Sequence, residues 1–345
     1  MVHYQLAMAY YAEKYRRHPP TDPVYIIAHQ SLPNQRLKRS SWQYESDRIL
    51  ISAGFHPSRN DDHKPCPTSL ISLGSRRPLL FLPCIEPWSS HPSHIHVRPT
   101  IPNLNKKNPS HLCREQANTT LSHLPPFDYS FWTDGSLLQS GQASSVCMAY
   151  AVDSHPIKRR HLMHTTYILA RPAGRVSSSI LAEKQALELV SAIINSDPIP
   201  FSHKRIFIGS DCQGGLRALA EGPLRDYAYS CNHIDWSSTY KTYLDAATTY
   251  DCHFHLQYIP AHVGLEPNET VDSLAKHYAS AFSPTDQFNA NIDLSALKST
   301  LKQSLLRQWI NSTPLLGARY QVCRLRRSNL KKCHPVPRAL QCLYS

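Results

Sequence analysis

The chain has 345 residues, 41% hydrophobic and 18% charged, enough for roughly one to three domains and less charged than the usual quarter or so. Its net charge of +12 favours polyanionic partners. No apolar run approaches the ~18 residues of a membrane-spanning helix, and the opening residues lack a secretory leader's apolar stretch. Ten cysteines without dense spacing argue for a reducing compartment, so an intracellular location, nucleus or cytoplasm, is expected.

Residues 1–126 hold sixteen of the 27 prolines, each fixing φ and removing a backbone donor. YQLAMAYYAEKY predicts a helix closed by Pro19 and Pro20. VYIIA and PLLFLP are short apolar pieces that need partners. DHKPCP and HPSHIHV read as histidine-bearing loops without a function. This zone, residues 1–126, is expected to be a poorly ordered, proline-rich linker or the degraded remnant of a larger polyprotein.

Periodicity takes over in residues 127–282, where only seven prolines remain. DYSFWTD, SSVCMAYAVD and MHTTYILA read as three successive strands in an antiparallel meander. SSSILAEKQALELVSAIIN is rich in helix formers, with Ile180, Ala186, Leu187, Val190, Ile193 and Ile194 on one stripe and Ser178 or Ser179 as its cap. KRIFIGSD follows as a buried strand, CQGGLRALAEG as a short helix, HFHLQYIPAH as a strand and NETVDSLAKHYASAF as a helix. The order predicts an α/β domain with a five-stranded mixed sheet, three antiparallel strands then two parallel additions, flanked by helices.

Residues 283–345 begin with an amphipathic helix, LSALKSTLKQSLLRQWI. Residues 301–345 then carry nine Lys or Arg and no acid. Cys323, Cys333, His334 and Cys342 have a spacing awkward for one tetrahedral zinc site. The tail is expected to be a poorly ordered basic segment that contacts nucleic acid.

Four acids stand at the ends of predicted elements. Asp134 and Asp211 each end a strand, and adjacent parallel strands would bring them to one sheet edge, where open α/β sheets place ligands. Glu183 lies in the first turns of the long helix, and Asp272 early in the last one. Each has an ordinary structural use: Asp134 in a DG turn, Glu183 as a charge near a helix N-terminus, Asp211 as a cap, Asp272 as a solvated helix residue. Together they would repel unless cations joined them. An all-carboxylate set suits Mg²⁺, with Mn²⁺ as a substitute, rather than Zn²⁺. Two such ions could clamp the attacking water and the leaving oxygen of a phosphodiester. His262, in the glycine-containing PAHVG loop, is placed to move a proton.

FWTDGS, ILAEKQALELV, IFIGSDCQGGLRAL and IPAHVGLEPNETVDSLAK, in this order over about 155 residues, resemble the type 1 ribonuclease H family, most closely the ribonuclease H domain of non-LTR retrotransposon reverse transcriptase polyproteins. The resemblance implies an RNase H-like fold and endonucleolytic hydrolysis of the RNA strand of RNA–DNA hybrids with two Mg²⁺ ions, leaving 5′-phosphate and 3′-hydroxyl ends. It implies metal ligation by Asp134, Glu183, Asp211 and Asp272, proton transfer by His262, and substrate contacts at Gly135, Ser136, Gln213 and Asn268. It also implies origin in, or attachment to, a reverse transcriptase polyprotein. No YxDD-type polymerase signature is present. Pro267 stands where retroelement relatives commonly have glycine, which puts the loop before Asp272 in question. No dense basic stretch lies between Leu219 and Leu256, so a hybrid would draw on Lys158, Arg159, Arg160 and the tail. The competing readings are a non-catalytic nucleic-acid-binding module and a DNA-directed nuclease on the same fold.

Overall fold

The structure, a computed structural model, describes residues 2–18, 22–30, 41–57, 70–73, 94–104, 108–151, 164–174, 177–221, 236–283 and 294–312. Two compact units divide the chain: residues 1–78 with 296–345, and residues 79–295.

In the first unit, α1 (Val2–Arg16) includes the helix expected from YQLAMAYYAEKY, and VYIIA lies within α2 (Pro23–His29). The carboxylate of Asp22 caps α2, accepting the Val24 N–H. Next come α3 (Trp42–Ser52) and a short parallel pair, β1 (Phe55–His56) with β2 (Ile71–Ser72). Leu6, Ala9, Ala12, Ile49, Leu50 and Phe55 are buried. Arg16 reaches from α1 to Asp47 on α3 at 2.6 Å, both side chains largely out of solvent. PLLFLP, DHKPCP, Lys158 to Arg160 and the basic tail lie outside the described residues.

The second unit is built on a mixed sheet. Its strands are β3 (Ile95–Arg98), β4 (Tyr129–Leu137), β5 (Ala143–Ala151), β6 (His164–Pro172), β7 (Arg205–Ser210) and β8 (His253–Tyr258), in the spatial order β3-β8-β7-β4-β5-β6. β4, β5 and β6 run antiparallel, whereas β7 pairs parallel with β4, β8 with β7 and β3 with β8. This is an RNase H-like architecture. The five expected strands are present with the expected directions. The sheet has a sixth, β3, which takes in Ile95 to Val97 of HPSHIHV, so that part of the stretch is a strand rather than the expected loop. Four residues of ladder with β8 and the burial of Ile95 override the weak local pattern.

β7 and β8 are central, and all but their first residues are buried, as parallel strands covered on both faces must be. Helix α4 (Ser110–Ser122) follows β3 and adds Cys113 and Ala117 to the core that also contains Phe131, Leu187, Ile206 and Leu256. The other helices of this unit are α5 (Ser179–Ser196), α6 (Gln213–Glu221), α7 (Trp236–Tyr250) and α8 (Glu266–Ala281); α9 (Leu294–Ser312), the helix expected from LSALKSTLKQSLLRQWI, belongs from Ala296 onward to the first unit. α7 is an element the sequence reading lacked. It braces α5: the Tyr243 hydroxyl donates to the Leu187 carbonyl at 2.6 Å, and Thr239 donates to Glu188 at 3.1 Å. Its Trp236 packs on Gly215 of α6, where a Cβ would come within 2.3 Å of the indole ring. No described helix is long and apolar enough to cross a membrane.

Because β3 and α4 lie before residue 127 yet share the main core, a chain shortened to 127–282 should expose the β8 edge and part of that core. We predict that it unfolds at least ~4 °C below a chain spanning 94–282, and that it aggregates more. Equal midpoints in thermal unfolding would show that β3 and α4 are dispensable.

Candidate active site

The register of β4 against β7 sets the site. Thr133 and Ser210 are the last residues paired between β4 and β7, and an acid follows each: Asp134, which does not end its strand as expected because β4 runs on to Leu137 paired with β5, and Asp211, just past the end of β7. Parallel neighbours end on the same side, so both carboxylates emerge at the C-terminal edge of the sheet.

Glu183 arrives on α5. Ser178 caps this helix, its hydroxyl accepting the Leu181 N–H at 3.2 Å. The helix meets β4 at Gly135, where a Cβ would lie 2.3 Å from the Ala182 carbonyl carbon and from the Glu183 nitrogen. The glycine of the DG pair is therefore no turn residue: it sits inside β4, paired with Ser145, and its missing side chain is where the helix enters. Ser145 fastens the contact, donating to the Ala182 carbonyl at 2.8 Å. Its neighbour Ser144 donates at 2.5 Å to the Ala275 carbonyl of α8. Successive strand residues face opposite ways, so two adjacent serines pin the two acid-bearing helices to opposite faces of one strand.

α8 starts at Glu266, with Leu265 at its N-cap and Pro267 in its first turn. Proline is tolerated there, where backbone N–H groups have no helical partner. Pro267 thus leaves the helix and Asp272 in place. The Glu269 carboxylate accepts the Gly264 N–H at 3.0 Å and holds the preceding loop. In that loop His262 has φ of +53° and an exposed ring, with Nδ1 3.9 Å from Asp272 Oδ2 and 4.0 Å from Glu269 Oε2.

Asp134, Glu183 and Asp211 each offer an oxygen within 4.8 Å of the others. Asp272 stands beside this trio rather than in it. Its charge acts on Asp134 and Asp211, but its Oδ2 accepts from Lys276 Nζ at 2.6 Å and faces His262. His262, Glu269 and Asp272 form a second group of ligand-type atoms within 4.8 Å. Glu269 and Lys276 were missed by the sequence reading; their i,i+3 and i,i+4 spacing from Asp272 is the signal that could have found them. Of the expected substrate contacts, Gly135 receives α5, while Ser136 and Asn268 are buried. The Gln213 side chain donates to the Pro99 carbonyl at 3.1 Å.

Burial is the largest influence raising each carboxyl of the trio, and repulsion from neighbouring carboxylates, Asp272 among them, adds to it. Glu183 lies well above the ordinary carboxylate range, by burial, then by the charges of Asp134 and Asp211. Asp134 is raised by burial and by Asp272, against the hydrogen bond from Glu183 that lowers it. Asp211 is pushed up to about 7 by burial, then by Asp134 and Asp272, with His262 pulling it down. Glu183 Oε2 is buried without a hydrogen-bond partner. A buried, orphaned oxygen among acids that resist ionising fits a bound divalent cation: it would take that lone pair and restore the carboxylates. The donor set could hold Mg²⁺.

No protein-family model matches the chain, and no curated protein matches it. Solved structures similar to it include a foamy viral protease–reverse transcriptase in complex with dsDNA, at 16% identity and TM-score 0.36 over 46% of this chain and 99% of that one. The same viral protein in complex with an RNA/DNA hybrid gives 14% identity and TM-score 0.35, over 52% of this chain and 22% of that one. LC9-RNase H1, a type 1 RNase H with the type 2 active-site motif, gives 13% identity and TM-score 0.35, over 47% and 77%. With so little sequence shared, function has to be read from the side chains of the site itself.

Two outcomes are expected of substitutions here. Gly135→Ala should drive a methyl into the backbone of α5, which cannot yield as a flexible side chain would. We predict a loss of stability of about 3 kcal/mol in denaturant unfolding; a loss below half of that would mean α5 can shift at little cost.

Asp211 is the second case. Its folded-state pKa is raised, so between pH 4 and 7 the folded, metal-free protein holds a proton the unfolded chain has released. Stability from this group therefore falls as pH rises through that window. Metal-free Asp211→Asn should lack this component, gaining on wild type from pH 4 to 7. Parallel pH–stability curves for the two proteins would contradict the raised pKa.

Proposed function

We propose that the chain is an endoribonuclease that hydrolyses the RNA strand of RNA–DNA hybrids, leaving 5′-phosphate and 3′-hydroxyl ends. The observation that carries this reading is the convergence of Asp134, Glu183 and Asp211, from a strand, a helix and a strand end, around one buried unpartnered carboxylate oxygen. The motif resemblance in FWTDGS, ILAEKQALELV, IFIGSD and HVGLEPNETVD supports the substrate class.

Asp134, Glu183 and Asp211 would hold divalent cations, with Asp272 completing the set from α8. Two Mg²⁺ ions, or Mn²⁺ in their place, would supply Lewis-acid activation of water and charge stabilisation at the departing 3′-oxygen. Gly135 and the two serine pins keep the helix-borne acids in register with the strand-borne ones, which is the preorganisation such a site needs. Burial on the sheet side limits access to the open edge. His262, exposed beside Asp272, would carry a proton between solvent and the reacting oxygens through its ring nitrogens. The motif resemblance assigns contacts with the hybrid to Gly135, Ser136, Gln213 and Asn268; with Gly135 packed on α5, Ser136 and Asn268 buried and the Gln213 side chain bonded to Pro99, such contacts would fall to the backbone around Gly135 and Gln213, and the RNA strand would be distinguished by its 2′-hydroxyls. The net charge of +12 would attract the phosphates at long range. We further propose an association with, or origin in, a reverse transcriptase polyprotein.

A labelled RNA–DNA hybrid with Mg²⁺ tests this. We predict metal-dependent cleavage of the RNA strand alone. Asp134→Asn should lower the rate at least about a hundredfold, matching several kcal/mol of lost charge stabilisation. Hybrid bound but uncut by the wild type would favour a binding module. Duplex DNA cut as fast as hybrid would favour a DNA-directed nuclease.

A further inference from the structure

β3, β7 and β8 run parallel, so their N-terminal ends share the sheet edge opposite the acids. Four metal-ligating side chains meet there from three separated stretches: His94 before β3, His203 before β7, and Asp251 with His253 at the start of β8. Asp251 is the hub. Its Oδ1 lies 3.3 Å from His94 Nε2, and its Oδ2 lies 2.9 Å from His203 Nδ1. The rings of His94 and His253 have centroids 4.4 Å apart. One ligand atom each from His94, Asp251 and His253 falls within 4.8 Å of the others.

The backbone holds these groups in place. The His94 carbonyl accepts the Phe254 N–H at 2.7 Å, the His203 N–H donates to the Tyr250 carbonyl at 2.9 Å, and the His253 N–H donates to the Lys204 carbonyl at 2.9 Å. The side chains of Asp251 and His203 are more than half exposed and that of His94 about a third, so an ion can reach them from solvent.

We propose that His94, Asp251 and His253 form a metal site separate from the acids, for a borderline divalent ion of the Zn²⁺ type. Two imidazoles and a carboxylate select such an ion over Mg²⁺. Two ligands of a tetrahedral ion at zinc–ligand lengths stand about 3.3 Å apart, the separation found between His94 and Asp251. Modest rotation of exposed rings brings the third ligand in, and the fourth position is left to water. His203 holds the second oxygen of Asp251, the role an outer-shell partner takes at a metal-bound carboxylate. The ion joins residue 94 to residues 251 and 253, and so fastens the edge strand β3 to β8, where the ladder is only four residues long. Its function is to secure that strand, not to take part in hydrolysis.

The test is zinc titration of the full chain by calorimetry, with excess Mg²⁺ present, for wild type, His94→Gln, His253→Gln and Asp134→Asn. Wild type and Asp134→Asn should bind one more equivalent of Zn²⁺ than either histidine variant. Their thermal midpoints should rise with zinc, and the rise should be lost in both histidine variants. Circular dichroism without zinc should be the same for all four, since the altered histidines are at the surface. Equal zinc stoichiometry and an equal rise in all four would overturn the proposal, leaving Asp251 an ordinary ion-pair partner of its histidines. Zinc binding elsewhere, including the cysteine-containing tail and the acids, is common to wild type and the two histidine variants and cancels between them, while Asp134→Asn shows how much zinc the acids themselves take.

Discussion

The close approach of α5 to β4 at Gly135 is the contact on which the site depends. A helix normally stands off a sheet by the width of its side chains. Here the strand presents no Cβ, and the Ala182–Glu183 backbone comes down to where one would be. Ser145, paired with Gly135 across the ladder, closes the contact with a hydrogen bond to Ala182. Glu183 is thereby lowered to the level of the strand-borne acids. A longer standoff would leave it above them, and the trio would become a pair.

That closeness carries an electrostatic penalty. Three carboxyl groups share a largely enclosed space, and burial is the largest influence raising each, with repulsion from neighbouring carboxylates, Asp272 among them, added to it. Asp272 is treated differently. Lys276, one turn along the same helix, neutralises it, and His262 and Glu269 surround it. The site therefore has a tightly coupled part on the sheet and a looser, solvent-facing part on α8.

The two ends of the parallel strands carry contrasting chemistry. The C-terminal ends gather carboxylates, hard oxygen donors, and the N-terminal ends gather imidazoles around Asp251. The separation follows from strand direction: residues before β3, β7 and β8 cannot reach the edge where β4 and β7 finish. The edge strand β3 belongs to both stories. It extends the sheet beyond β8, and through Pro99 it meets the Gln213 side chain next to Asp211.

Much of this was legible in the sequence wherever local pattern and burial agree. The apolar runs of IFIGS and HFHLQY, the alanine- and leucine-rich α5 and the acids at element ends all point one way, so fold class and acid convergence could be inferred from residue order. β3 could not, because four residues of alternating polarity among prolines hold no strand until β8 supplies a ladder. α7 was obscured by its threonines and tyrosines, weak helix formers, although Trp236, Tyr240, Tyr243 and Ala247 recur at helical spacing and are buried. Gly135 shows the limit best. In sequence, DG reads as a turn; in the structure it is a strand residue shaped by a helix 47 positions away, from Gly135 to Ala182. The sequence by itself determined which residues can ligate, bury or cap, because those are properties of side chains and their near neighbours. Tertiary structure alone decided which of them meet, that Asp272 stands apart with Lys276, and that His94 joins Asp251, because those distances depend on strand register and packing between segments far apart in the chain.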